Sequence, residues 1–324
     1  MTQASYIYSS SEFSRLLGNP ILLEELATVA GVNYLLVKLD EDDEQTIDPL
    51  ALPACPVIGI GANPRSSLVD VVVPHERNLL EVINPIESQP TASATLVQLL
   101  RHNESVDTEK GLFAESLAYS MLQQSAGFQQ WLASVRKPAP FEDLQVLHVE
   151  RQDNELHLTF NRPKVHNAFN IALRDGLCEA LHLAHTDRTI TRVVLRGNGS
   201  SFCAGGDLSE FGQVTDATVA HLSRMTRSAG ALIDSLPCAM AVHVHGACIG
   251  AGIELPSFAA RVTAREDAFF QLPEVAMGLV PGAGGTVSIL RRIGRHRTAF
   301  MALTNKRITA ELAFEWGLVD RLLA

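Results

Sequence analysis

Residues 246–255 read GACIGAGIEL, directly after the apolar run CAMAVHVH (238–245), and they set one carboxylate, Glu254, among nine small or apolar residues. AMAVHVHG alternates like a strand and the residues after the glycines read as a helix, so Gly246, Gly250 and Gly252 occupy a strand-to-helix turn. Backbone N–H groups converge at such a turn, which suits it to an anion or a developing oxyanion. Phosphate binding fits less well. The spacing is neither GxGxxG nor GxxxxGK, no lysine follows, and PGAGGT at 281–286 also lacks one. Close helix packing explains the glycines alone. Glu254 asks for more: the helix dipole favours a carboxylate in the first turn of a buried helix, yet desolvation raises its pKa unless it has a partner.

Glu274 lies twenty residues on, in FFQLPEVAMGLVPGAGG (269–285), where Pro273 and Gly278 predict a loop or helix start. Two isolated carboxylates in apolar, glycine-rich surroundings suggest a general acid and a general base tuned toward neutrality by burial. For either alone, a capping role or a buried ion pair is the structural alternative. SSFCAGGDL (200–208) follows the strand TRVVLRG and turns through Ala204, Gly205 and Gly206 before an expected helix. It can supply a second N–H donor opposite the first turn, or be a plain left-handed turn. His243 and His245 share a strand face without a carboxylate or cysteine at metal-ligand spacing, so no metal is expected. Ser200 and Ser201 lack a GxSxG setting, and Trp131 and Trp316 read as packing residues.

A chain of 324 residues with 46% hydrophobic content suffices for one large domain plus an appendage, or for two modest domains. The formal charge of −10 argues against general attraction to nucleic acid or anionic membranes, and RRIGRHR (291–297) reads as a solvated basic face. Cys55, Cys178, Cys203, Cys238 and Cys248 form no CxxC pair and read as reduced, which fits a cytoplasmic setting. No signal-peptide pattern or bilayer-length apolar run is evident.

VRKPAPFEDL (135–144) is the strongest composition break and places a boundary near 140. Before it, LLEELATVAG predicts a short helix, and NYLLVKL, CPVIGIG and LVDVVVP predict three strands. HERNLLEVI, SATLVQLLR and a long helix over 109–135 follow, the last with Leu112, Phe113, Leu117 and Met121 on one side. After the break come paired strands LQVLHVE and ELHLTF, a helix capped by Asn170, the strand TRVVLRG, a helix over 220–236 and three final helical stretches.

NRPKVHNAFN, GNGSSFCAGGDL, HGACIGAGIEL and QLPEVAMGLVPGAGGT stand in the order and approximate spacing of the crotonase superfamily, the enoyl-CoA hydratases and isomerases. The resemblance covers about residues 145–322. It implies an α/β (α+β) fold: a spiral of ββα turns over 141–324, with an N-terminal α/β and helical segment over 1–140. It also implies hydration of a 2-enoyl-CoA, with coenzyme A as part of the substrate and no separate cofactor. Double-bond isomerisation, thioester hydrolysis and a non-catalytic acyl-CoA or protein-binding scaffold are the alternatives. Carried over by motif, Ala204 and Ala251 are oxyanion donors through their N–H groups, Glu254 activates water at the β carbon, and Glu274 protonates the α carbon. Lys164, Val165, His166 and Ala168, within or beside the segment Asn161–Asn167, correspond to residues bordering coenzyme A. So do Gly205, Gly206, Asp207, Leu208 and Gly250. Ala251 replaces the family's usual glycine, and ELPSFAARV departs from its ACD segment, with Pro256 compatible with a helix start and Ala260 at the aspartate position. The family implies a homotrimer or a dimer of trimers. GLVDRL is ordinarily followed by helices that cover the site and build the trimer; residues 84–138 resemble that helical region in layout, which implies a permuted arrangement, with an independent appendage as the alternative.

Overall fold

The apolar runs near the N-terminus form strands where their alternation and length predict them. The computed structural model describes residues 6–40, 47–61, 66–141 and 145–323, and the end of the break at 135–144 lies outside these described residues. The chain opens with β1 (Ile7–Ser9), α1 (Ser10–Leu17) and α2 (Pro20–Glu25), then β2 (Leu35–Lys38), β3 (Val57–Ile60) and β4 (Val71–Val73). The four strands form a parallel sheet in chain order. A parallel sheet is covered on both faces, and this one is. Leu36, Ile58 and Val71 join the main core, while Leu35, Val37 and Val57 pack with Phe13 of α1 on the other side.

Helices α3 (Leu80–Ser88), α4 (Pro90–Asn103), α5 (Thr108–Gln123) and α6 (Ala126–Ser134) come next. The expected single helix over 109–135 is broken at Gln124–Ser125, where the Ser125 hydroxyl accepts from the Phe128 N–H and starts a new helix. The expected apolar stripe is also corrected. Leu112 is buried, but Phe113, Leu117 and Met121 are 48%, 45% and 59% exposed. α5 instead buries Gly111, Glu115, Ser116 and Ser120 with Leu112 and Leu122, and Glu115 and Ser116 border a cavity.

After the break run β5 (Leu147–Gln152), β6 (Glu155–Phe160), α7 (Ile171–Thr186), β7 (Arg192–Gly197), α8 (Ala217–Thr226), α9 (Ala229–Asp234), β8 (Ala239–Val244), β9 (Ala247–Ile249) and α10 (Ala251–Glu254). The chain finishes with β10 (Arg261–Arg265), β11 (Phe269–Gln271), α11 (Gly285–Thr304), β12 (Ile308–Thr309), α12 (Ala310–Trp316) and β13 (Arg321–Leu323). A six-stranded sheet has the order β13-β10-β8-β7-β6-β5, parallel except for the β5–β6 hairpin, and a small sheet has the order β12-β11-β9. At β8–β9 and β10–β11 each turn lays one strand in the large sheet and the next in the small one before a helix follows. This is the predicted ββα spiral. Asn170 caps α7 as expected, accepting from the Leu173 N–H at 2.9 Å. Two local expectations fail. Asp207–Glu210 form a turn rather than a helix, since the Asp207 carboxylate accepts from the Ser209 N–H and hydroxyl and holds the bend. The helix over 220–236 is interrupted at Arg227–Ser228, where Ser228 caps α9.

One hydrophobic core runs across residue 140, from Leu36 and Ile58 through Leu100 and Phe128 to Val244 and Leu290. A buried ionic cluster crosses it too. Asp70 accepts from Arg101 Nε (2.8 Å) and Nη2 (2.5 Å), from Arg295 Nη1 (3.0 Å) and from the Val57 N–H. Burial works against the Asp70 carboxylate, but the two guanidiniums hold it below the usual range. RRIGRHR is therefore not a solvated face: Arg295 is 3% exposed, Arg292 binds the Ser257 and Ala259 carbonyls, and His296 lies 3.0 Å from the Val69 carbonyl. Gly294 lets α11 kink within this segment at φ +79°. All five cysteines are free.

Candidate active site

The 203–206 and 249–252 turns are pressed against each other. The Ile249 N–H donates to the Cys203 carbonyl at 3.0 Å, and a Cβ on Gly252 would lie 2.2 Å from that same oxygen. Only glycine permits this approach. The residues just beyond, Gly206 and Ala251, line one wall of a cavity of about 270 Å³. Neither of their N–H groups has a partner among the described residues, Ala251 because it begins a helix. Ala204 differs from the sequence expectation: its N–H donates to the His166 carbonyl at 3.0 Å and it does not line the cavity. The free donor of that turn is two residues on, at Gly206.

Glu254 closes α10 and is 2% exposed. Its Oε2 accepts from the Ala283 N–H (2.8 Å) and the Gly285 N–H (2.9 Å), while Oε1 faces Gly250 and Glu274. Glu274 stands at the start of a 3-10 turn, Val275–Met277, with Oε2 buried and bonded to nothing among the described residues. A Cβ on Gly250 would lie 2.4 Å from Glu274 Oε1 and 3.6 Å from Glu254 Oε1, so the two carboxylates bracket one point. Gly250 also has φ +49°, and both facts require glycine there.

A third carboxylate, not foreseen from the sequence, enters from α5. Glu115 is 2% exposed, and its Oε1 accepts from the Gly284 N–H (2.7 Å) while Oε2 accepts from the Thr286 N–H (2.9 Å) and hydroxyl (2.6 Å). The legible signal was Gly111, Glu115 and Tyr119 at i, i+4 spacing, a polar stripe opposite Phe113, Leu117 and Met121. Burial pushes Glu254 up to about 7, with the backbone N–H groups of 282, 283 and 285 opposing it. Burial and then the charge of Glu254 push Glu115 up to about 8 and Glu274 well above the carboxylate range. Hydrogen-bond donors oppose the rise at both Glu254 and Glu115, whereas Glu274 Oε2 has none among the described residues.

Most of the residues expected to border coenzyme A lie outside the cavity lining. Lys164 and Val165 lie in a 3-10 turn, with the Lys164 ammonium 5.6 Å from the Phe141 ring centroid. His166 and Asn167 take left-handed backbone at φ +52° and +54°, fixed by Asn167 bonds to the Arg162 N–H and the Ser201 carbonyl. Ala168 accepts from Arg162, whose Nη1 also pairs with Asp207 at 3.0 Å. Of the predicted set, Gly206 and Asp207 line the cavity. Lys164, Val165, His166, Ala168, Gly205, Leu208 and Gly250 do not, and the Gly250 N–H is taken by the Gln271 carbonyl.

Residues 150–324 match the family model for enoyl-CoA hydratase/isomerase. The chain belongs to this family. The 2,3-dehydroadipyl-CoA hydratase of Escherichia coli K12 is 39% identical over 174 residues, covering 54% of this chain and 68% of that relative. The trans-2-decenoyl-[acyl-carrier-protein] isomerase of Streptococcus mutans is 31% identical over 169 residues, covering 51% and 64%. The crystal structure of an enoyl-CoA hydratase from Bacillus anthracis superposes with a TM-score of 0.52 at 30% identity, covering 55% of this chain and 70% of that one. As a member of the enoyl-CoA hydratase/isomerase family the chain is an enzyme, and its fold is that of the crotonase superfamily. Among the described residues no helix is long and apolar enough to cross a membrane.

Proposed function

We propose that this enzyme adds water across the double bond of a 2-enoyl-CoA. The observation that carries the reading is the pair Glu254 and Glu274 bracketing one point beside two unengaged donors, Gly206 and Ala251. The thioester oxygen accepts from those two N–H groups. Glu254 Oε1 takes a proton from water as its oxygen bonds to the β carbon. The π electrons move toward the thioester, and negative charge gathers on its oxygen as the enolate forms. Glu274 then gives its proton to the α carbon as the carbonyl is restored, and the proton on Glu254 returns the pair to its starting state through solvent exchange.

Preorganised donors matter because enolate charge is absent from the ground state; each is worth about 10²–10³ in rate, and each proton transfer about 10²–10⁴. Isomerisation is the second reading, favoured by Glu274 Oε2, which is buried with no hydrogen bond among the described residues and suits a single-residue proton shuttle. The test is a panel of 2-enoyl and 3-enoyl-CoA thioesters given to the full chain. Hydration predicts a 3-hydroxyacyl-CoA from the 2-enoyl compounds. Interconversion of the two series without hydroxylation would establish the isomerase, release of free thiol the hydrolase, and binding without turnover the scaffold.

A further inference from the structure

Three cations line the cavity, and two of them have carboxylate partners: Arg174 lies 2.8 Å from Asp175, and Arg227 lies 3.7 Å from Glu179. Arg224, on α8, has none among the described residues. Its Nε donates to Ser116 Oγ at 3.2 Å, its Nη2 to the Ser116 carbonyl at 3.2 Å and to Ser120 Oγ, and its plane lies over the Tyr119 ring at 4.7 Å. These contacts fix the guanidinium against α5 and leave Nη1 without a hydrogen bond. Glu115 is close enough to act on Arg224 through its charge, yet both its oxygens accept from Gly284 and Thr286. Burial lowers the Arg224 pKa, the mark of a cation held away from water without a full counter-charge.

Two more polar groups on the same wall are unengaged. Gln123, one turn beyond Tyr119, has a buried Oε1 and makes no side-chain hydrogen bond among the described residues. The Tyr119 hydroxyl likewise has no partner among them, while the ring packs against Gly282 near the catalytic pair. A hydrocarbon chain laid along this wall would desolvate a guanidinium edge, an amide and a phenol and return no hydrogen bond to any of them. A carboxylate accepts from the guanidinium edge and the phenol, with the arginine supplying charge, and from Gln123 through its Nε2 alone.

We infer that the cavity selects thioesters whose acyl chain ends in a carboxylate, held by Arg224 with Gln123 and Tyr119 beside it. The inference rests on the hydratase reading for the thioester end of the substrate and is independent of it for the far end. The probes are matched six- and eight-carbon CoA thioesters: a carboxylate-ended chain, its methyl half-ester and the methyl-ended chain. Saturated forms are measured for binding and 2-enoyl forms for kcat/KM. The expected preference for the carboxylate is about tenfold to a hundredfold over both neutral ends. Arg224→Met should collapse that ratio toward one, Arg224→Lys should keep part of it, and Gln123→Leu should lower it without disturbing the brace between α5 and α8. Wild-type protein that binds charged and neutral ends alike overturns the inference, whatever becomes of the variants. So does an Arg224→Met variant that weakens all three probes equally, since that is the result for an arginine serving structure or the phosphates of coenzyme A. A carboxylate preference in binding with no turnover of any enoyl form would sustain the inference and refute the hydratase reading.

Discussion

Glu115 and Glu254 hold the same turn from opposite sides. The successive N–H groups of Ala283, Gly284, Gly285 and Thr286 donate alternately to Glu254, Glu115, Glu254 and Glu115. One carboxylate comes from the spiral and the other from the helical segment before it, so the N-terminal region helps to fix the turn that holds Glu254. In the proposed mechanism Glu115 is a positioning residue, acting through the 283–286 turn.

The clamp has a stability signature. Glu115 is raised from its ordinary 4.5 to about 8, so its contribution is full below 4.5 and is lost as pH rises through 8. Glu254 and Glu274 act in the same direction. Thermal unfolding followed from pH 5 to 9 should show a falling melting temperature, and Glu115→Gln should reduce the slope. Glu115→Ala should cost on the order of 3 kcal/mol near neutrality, because it leaves three buried donors unmatched.

Rate should depend on pH with the opposite sense on its two limbs. Hydration needs Glu254 ionised and Glu274 protonated, so kcat/KM should rise through about 7 and fall at higher pH as Glu274 loses its proton. The charge of Glu115 helps to raise Glu274. Glu115→Gln should therefore move the alkaline limb to lower pH, a shift that a purely structural residue would not produce.

Gly250→Ala should fold poorly or lose activity by at least about a hundredfold. The added methyl group meets Glu274 Oε1 at 2.4 Å on a backbone at φ +49°, so the carboxylate or the turn must move. The check is kcat/KM beside the melting temperature; normal values of both would remove Glu274 from the place described.

Residues 1–138 should prove inseparable from the spiral, and we propose that α3–α6 serve the covering and trimer-building role implied by the resemblance. Deleting them removes Glu115, Tyr119 and Arg101 and should give an aggregated or monomeric, inactive protein by sedimentation and activity assay. Asp70→Ala leaves Arg101 and Arg295 buried without their shared counter-charge and should destabilise the full chain by about 3–5 kcal/mol. An active trimer from the truncated chain would contradict this reading.

Much of the spiral was legible because each strand announces itself by alternation and each turn by glycine, as at AMAVHVHG and GACIGAG. Glu254 and Glu274 stood out as carboxylates where apolar residues prevail. Ala204 was expected as the donor of its turn because a motif names a turn without saying which N–H is free; only its bond to the His166 carbonyl shows that the unengaged N–H is that of Gly206. Glu115 and Arg224 were hidden for a different reason. On α5 the polar stripe stood opposite Phe113, Leu117 and Met121, but nothing local tells a polar face that lines a cavity from one that meets solvent. The stripe Phe113, Leu117 and Met121 misled in the complementary way, since periodicity identifies a face but not what lies against it.

The most direct test is steady-state hydration of a 2-enoyl-CoA by the full chain and its Glu254→Gln and Glu274→Gln variants, followed by loss of the conjugated double bond and by appearance of the 3-hydroxyacyl product. Each substitution keeps the side-chain shape and removes the proton transfer, so kcat should fall by about 10²–10⁴ in both, with thioester binding largely retained. Hydration at the wild-type rate in either variant would contradict the assignment of Glu254 and Glu274 as the catalytic pair.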